Sequence, residues 1–160
     1  MAPFGRGQRY NITGLIHNEA GFPTNSNEEA DALMHRLMHK ISDNYDDIVR
    51  TQEVLTEDAE TVVFCYGGTM RAAMSAVRQA RSEGIACGIF RPITIWPFPE
   101  RELRALAGRV KRIIVAEHNY GQLLLEVQRV VAGACKVDFI GRVNGTVIPP
   151  DELLQRIKEG

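Results

Sequence analysis

From residue 61 onward the sequence repeats one plan: an apolar run rich in β-branched residues, a short polar or glycine-bearing turn, then apolar residues at helical spacing. The pattern predicts strands over 62–66, 85–90, 113–117 and 137–140, and helices over 69–83, 99–107, 122–132 and 150–158. Gly84 and Gly108 fall where helix C-caps are wanted, and Pro99 sits near the first turn of its helix. Strands that alternate with helices imply an α/β fold with a parallel sheet covered on both faces. In such folds the loops leaving the carboxyl ends of the strands are where function is kept.

The first 60 residues do not share this plan. Residues 1–25 carry glycines at 5, 7, 14 and 21 and read as a connector, with a short strand at 10–13 and His17 shortly after. Ser26 and Glu29 have capping-box spacing, and apolar residues then recur at Ala30, Leu33, Met34, Leu37, Met38, Ile41, Tyr45 and Ile48. This is one long amphipathic helix, placed in a segment 26–55. A polar stretch at 56–60 precedes the α/β domain of 56–160, and 26–160 is expected to form one globular unit.

Composition narrows the function. A chain of 160 residues with 44% apolar residues holds one compact domain with a core. Its 19 basic and 20 acidic residues give no field that gathers a polyanion, which argues against nucleic-acid binding. Cys65, Cys87 and Cys135 lie far apart beside small or apolar neighbours, as buried free thiols do, and no C-x-x-C occurs. An iron–sulfur cluster held by this chain alone is therefore not expected. The odd cysteine count and the absence of a signal peptide point to a reducing cytoplasm. No apolar run approaches the roughly 20 residues of a membrane span.

Several segments bear groups that can do chemistry. In Tyr66-Gly67-Gly68-Thr69 a buried strand enters a helix, so backbone N–H groups can face an anion. The favoured reading is a tight turn, because neither a dinucleotide fingerprint nor a phosphate-loop lysine is present. Glu117-His118-Asn119-Tyr120-Gly121-Gln122 gathers a carboxylate, an imidazole, two amides and a phenol at a strand end. Without a partner nucleophile, structural or interface use is favoured over catalysis, and Glu117 is electrostatically suited to a helix start. His35 and His39, flanked by Asp31 and Asp43, have a spacing that can bind zinc, but a polar helix flank explains them as well. The rigid segment 91–99 offers Trp96 as an interface anchor, with Ile95 and Phe98 packed inward. For His17, ordinary hydrogen bonding is favoured over catalysis.

Taken in order, Thr13-Gly14-Leu15-Ile16-His17, Tyr66-Gly67-Gly68-Thr69, Pro97-Phe98-Pro99 and Glu117-His118-Asn119-Tyr120-Gly121-Gln122 resemble the C-terminal part of the alpha subunit of 2-oxoacid:ferredoxin oxidoreductases, most closely those acting on 2-oxoglutarate. The resemblance implies a transketolase C-terminal-like domain: three α/β/α layers around a mostly parallel five-stranded sheet with one antiparallel edge strand, assigned to residues 10–15. It also implies a complete enzyme that uses thiamine diphosphate and iron–sulfur clusters to convert a 2-oxoacid and CoA to an acyl-CoA, passing electrons to ferredoxin. No Gly-Asp-Gly segment or cysteine cluster occurs here, so this chain is expected to bind neither cofactor and to catalyse nothing alone. The implied partners are an N-terminal alpha-subunit domain and a beta subunit, and a homodimer is also open. The chain reads as a truncated domain or a natural small subunit. The alternatives are a self-contained nucleotide- or small-molecule-binding module, or the same domain of another thiamine-dependent enzyme.

Overall fold

A computed structural model describes residues 3–8 and 12–159. The chain divides into two compact units, Met1–Asn44 and Tyr45–Gly160. In the first, β1 (Ile16–His17) and β2 (Pro23–Thr24) form a small antiparallel ribbon, followed by α1 (Asn27–Ser42). Ser26 caps α1 by accepting the Glu29 N–H at 3.2 Å, as its sequence spacing predicts.

The second unit holds α2 (Tyr45–Ile48), β3 (Thr51–Val54), β4 (Thr61–Cys65), α3 (Thr69–Ser82), β5 (Cys87–Pro92), α4 (Glu100–Ala107), β6 (Arg112–Glu117), α5 (Gln122–Val131), β7 (Lys136–Gly141) and α6 (Pro150–Lys158). Its sheet runs β3-β5-β4-β6-β7, parallel except for β3, which pairs antiparallel with β5. This is the predicted three-layer α/β/α architecture.

Pleating assigns the two faces. Val62, Phe64, Phe90, Ile113 and Val115 point to one side, where they meet Leu103, Leu106, Val127 and Val130 of α4 and α5. Their neighbours Val63, Cys65, Ile89, Ile114 and Ala116 point to the other, against Ala73, Ala76, Val77 and Ala80 of α3 and Leu153 and Ile157 of α6. The alanines let α3 approach the strands closely. Because both faces are covered, the central strands are continuously apolar rather than alternating.

Two expectations are corrected. The antiparallel edge strand is Thr51–Val54, not residues 10–15: Tyr10 and Asn11 lie outside the described residues, and residues 12–15 form no strand. The long helix expected through Ile48 ends at Ser42, and α2 begins separately at Tyr45, so the division into units falls inside that stretch. Sequence periodicity failed at β3 because the strand is four residues long with Gln52 and Glu53 exposed; its conformation comes from pairing with β5. Exposed polar side chains on an edge strand also discourage pairing with another chain.

The chain leaving β3 closes over β5. Leu55 has φ 55°, and a Cβ on Gly88 would lie 2.4 Å from the Leu55 carbonyl oxygen and 2.8 Å from its carbon. Backbone cannot yield as a side-chain tip does. Gly88→Ala is therefore expected to cost about 1–3 kcal/mol of stability in urea unfolding, as other overpacking substitutions do. A loss under about 0.5 kcal/mol, the scale of a neutral surface change, would show that this closure is not tight.

Candidate functional site

The connection after β4 runs through α3 to β5, and the connection after β6 runs through α5 to β7, on opposite sides of the sheet. The loops leaving β4 and β6 thus diverge, opening a crevice at the carboxyl edge of the two central strands. This is the topological switch point at which open α/β sheets bind ligands.

Glu117 ends β6 on the face of Ile113 and Val115, beneath the first turn of α5, and is fully buried. Its carboxylate accepts hydrogen bonds from the Leu123 and Leu124 N–H groups at 3.2 and 3.1 Å, from Asn119 Nδ2 at 2.8 Å and from the Tyr66 hydroxyl at 3.2 Å. A buried anion is tolerable only when paired so fully, and a helix N-terminus adds favourable dipoles. Asn119 completes the cap: its Oδ1 accepts from the Gly121 and Gln122 N–H groups at 2.7 and 2.9 Å, while Nδ2 also donates to Tyr66 Oη at 3.0 Å. Burial first, then the charge and hydrogen bond of Glu117, raise the Tyr66 phenol above its ordinary pKa.

His118, one residue on, faces the other side of the sheet. Its Nε2 lies 3.2 Å from the Ile148 N–H, which can only donate, so Nε2 accepts and Nδ1 carries the proton toward Thr69 Oγ1 at 3.2 Å. The imidazole thereby ties the start of α3 to the segment before α6.

Beside it lies a cleft of about 1160 Å³, lined by Gly67, Gly68, Thr69 and Met70, by His118, and by residues of the 142–148 segment. Three arginines reach it: Arg71 from the first turn of α3, Arg91 from the end of β5, and Arg142 just after β7. Among the described residues no aspartate or glutamate lines it. Arg142 is held by Glu152, Thr146 Oγ1 and the Val147 carbonyl.

The sequence pattern of the pyruvate:ferredoxin oxidoreductase core domain II family matches residues 59–153, more than half of the chain. The chain belongs to this family. A 2-oxoglutarate synthase subunit KorA from Methanothermobacter marburgensis is 42% identical over 158 residues, 98% of this chain and 42% of the relative. The chain thus spans well under half the length of that relative. A solved 2-oxoglutarate:ferredoxin oxidoreductase from Magnetococcus marinus, with 2-oxoglutarate, coenzyme A and succinyl-CoA bound, superposes with TM-score 0.77 at 25% identity over 99% of this chain and 28% of its own. A split-gene transketolase, an inactive beta4 tetramer, shares the fold at TM-score 0.60 and 20% identity over 69% of this chain and 40% of its own.

In this core domain II the residues singled out in the sequence separate into distinct places. Gly67, Gly68, Thr69 and His118 meet in the cleft. Glu117, Asn119, Gly121 and Gln122 instead build the start of α5. Tyr120 is 89% exposed and Trp96 63% exposed, and neither lines the cleft. His17 belongs to the first unit, where its Nε2 lies 3.3 Å from Thr13 Oγ1. His35 and His39 are exposed on α1, each 3.4 Å from its aspartate, and among the described residues no three metal-ligating side chains converge. Missed in the sequence were Arg71, Arg91, Arg142 and residues 146–148. The arginines had a signal, since each sits at a carboxyl strand end or one turn into the following helix, but only the tertiary fold brings them together.

Glu117→Gln replaces an acceptor by an amide that must face backbone donors. It is expected to destabilise the domain by about 2–4 kcal/mol, the scale of unsatisfied buried hydrogen-bond groups near a charge. It should also lower the Tyr66 titration midpoint toward the ordinary tyrosine value, followed by NMR of labelled tyrosines. An unchanged midpoint would remove Glu117 from the causes of the Tyr66 shift.

Proposed function

We propose that this chain is a domain of the alpha subunit of a thiamine-diphosphate-dependent 2-oxoacid:ferredoxin oxidoreductase, with 2-oxoglutarate as the 2-oxoacid. It supports CoA-dependent oxidative decarboxylation to an acyl-CoA and turns nothing over alone. The observation that carries this reading is the 42% identity to a 2-oxoglutarate synthase subunit across 98% of the chain.

The chain's own groups favour a supporting role. Glu117, its one fully buried carboxylate among the described residues, is committed to holding α5. The cysteines do not fit an iron–sulfur cluster: Cys65 and Cys87 are buried, Cys135 is half-buried, and burial pushes the Cys65 thiol up to about 12 and raises the other two. Nor do the described residues offer a converging carboxylate set for the metal that accompanies a bound diphosphate. In this reading thiamine diphosphate and the clusters are held by the rest of the alpha subunit and by a beta subunit, with ferredoxin as electron acceptor. Phe98 packs inward as expected, but Ile95, also expected to pack inward, is instead 38% exposed, and with exposed Ile93 and Trp96 it supports a subunit contact at the segment between β5 and α4. Free thiols support a reducing, cytoplasmic location, and among the described residues no helix is long and apolar enough to cross a membrane.

The test is reconstitution. Ferredoxin reduction dependent on 2-oxoglutarate and CoA is measured with the chain alone and after combination with the complementary alpha-subunit segment and a beta subunit. The expected result is no turnover alone and turnover in the combination, with 2-oxoglutarate preferred over pyruvate and branched-chain 2-oxoacids. Turnover by the isolated chain would overturn the supporting role, and preference for another 2-oxoacid would overturn the substrate.

A further inference from the structure

We infer that the cleft between the β4–α3 turn and residues 142–148 is a binding site for a small organic phosphate. Its phosphate sits against the start of α3 and its apolar portion against Val143 and Val147. The inference stands on the cleft itself and does not depend on the oxidoreductase reading.

Gly68 carries the first part of the inference. Gly67 has φ 56° and so needs glycine for the turn, but Gly68 has φ −68° and ψ −25°, which any residue adopts. A Cβ built there meets nothing within 4 Å. Glycine is acceptable at a helix N-cap, but at 68 neither the backbone dihedrals nor packing among the described residues requires it. What a side chain would occupy is open space at a helix N-terminus that no side chain caps; the Arg71 N–H turns back to the Gly68 carbonyl at 3.2 Å, and the Thr69 and Met70 N–H groups precede the first helical acceptor.

Charge supplies an independent second part. The cleft gathers three guanidinium groups and no carboxylate in its lining. Arg142 is neutralised by Glu152, but the exposed Arg71 guanidinium has no hydrogen-bond or ion-pair partner among the described residues. Arg91 has its Nε buried without a partner, and its Nη1 reaches only Gln52, at 3.4 Å. Arg91 itself is half-buried, but a buried donor atom is normally satisfied, so its unpartnered Nε beside the cleft leaves a place for an acceptor. A phosphate offers three such acceptors and pairs with arginine in two-pronged geometry. Val143 and Val147, 49% and 73% exposed, add apolar surface to the same lining.

The test titrates the 160-residue chain at low salt with pyrophosphate, ADP, CoA, adenosine and 2-oxoglutarate, by calorimetry and by amide shifts in labelled protein. ADP and CoA are expected to bind with Kd below about 1 mM, an affinity of a few kcal/mol suited to an open site, with shifts at residues 67–71 and 142–148. Similar ADP and CoA affinities would identify the diphosphate as the recognised group, and tighter CoA binding would add a contribution from the rest of that molecule. Arg71→Glu and Gly68→Ala are each expected to weaken ADP about tenfold or more, the scale of one charge-assisted contact, while both keep the parent thermal midpoint within a few degrees. The inference is overturned if adenosine binds as well as ADP, if 2-oxoglutarate binds more tightly than ADP, if no phosphate compound binds, or if either variant binds ADP unchanged.

Discussion

The carboxylate of Glu117 is the group on which the carboxyl edge of this domain depends. It is fully buried at the end of a central strand, where an unpaired charge would be severely unfavourable, and two backbone N–H groups, an amide and a phenol surround it. Satisfying it fixes where α5 begins and how Asn119 and Tyr66 are turned. Since Tyr66 leads into the glycine pair before α3, one buried anion couples the two diverging loops of the switch point.

Strand pleating then divides the work between adjacent residues. Glu117 shares the face of Ile113 and Val115 and goes under α5, whereas His118 goes to the face of Ile114 and Ala116 and meets Thr69 and Ile148. A hexapeptide that reads as one polar cluster is thus a helix anchor on one side of the sheet and part of a cleft on the other. The acid–base groups of the hexapeptide therefore face different sides of the sheet.

Membership of the pyruvate:ferredoxin oxidoreductase core domain II family fits this arrangement. The fold is shared with a transketolase domain, and a fold of this kind hosts many functions, so what distinguishes this chain is the set of groups on its sheet edge. Those groups include three arginines, His118 and the start of α3.

The repeated strand–turn–helix plan after residue 61 was sufficient to give the parallel strands, their helices and the layered architecture, because apolar periodicity is a local property of the chain. The glycine turn and the 117–122 loop were legible for the same reason. Three features were not. The edge strand Thr51–Val54 owes its conformation to hydrogen bonds from β5, which lies some 40 residues on in sequence, and carries too few apolar residues to announce itself. The helix break at 43–44 interrupts a periodicity that continues through Tyr45 and Ile48. The cleft joins Arg71, Arg91, His118 and Arg142, each ordinary in its local sequence. The sequence by itself determined which segments become strands and helices and which face of each is apolar; the tertiary structure alone decided which polar groups meet, because strand order and crossover direction place them and neither is written in local spacing.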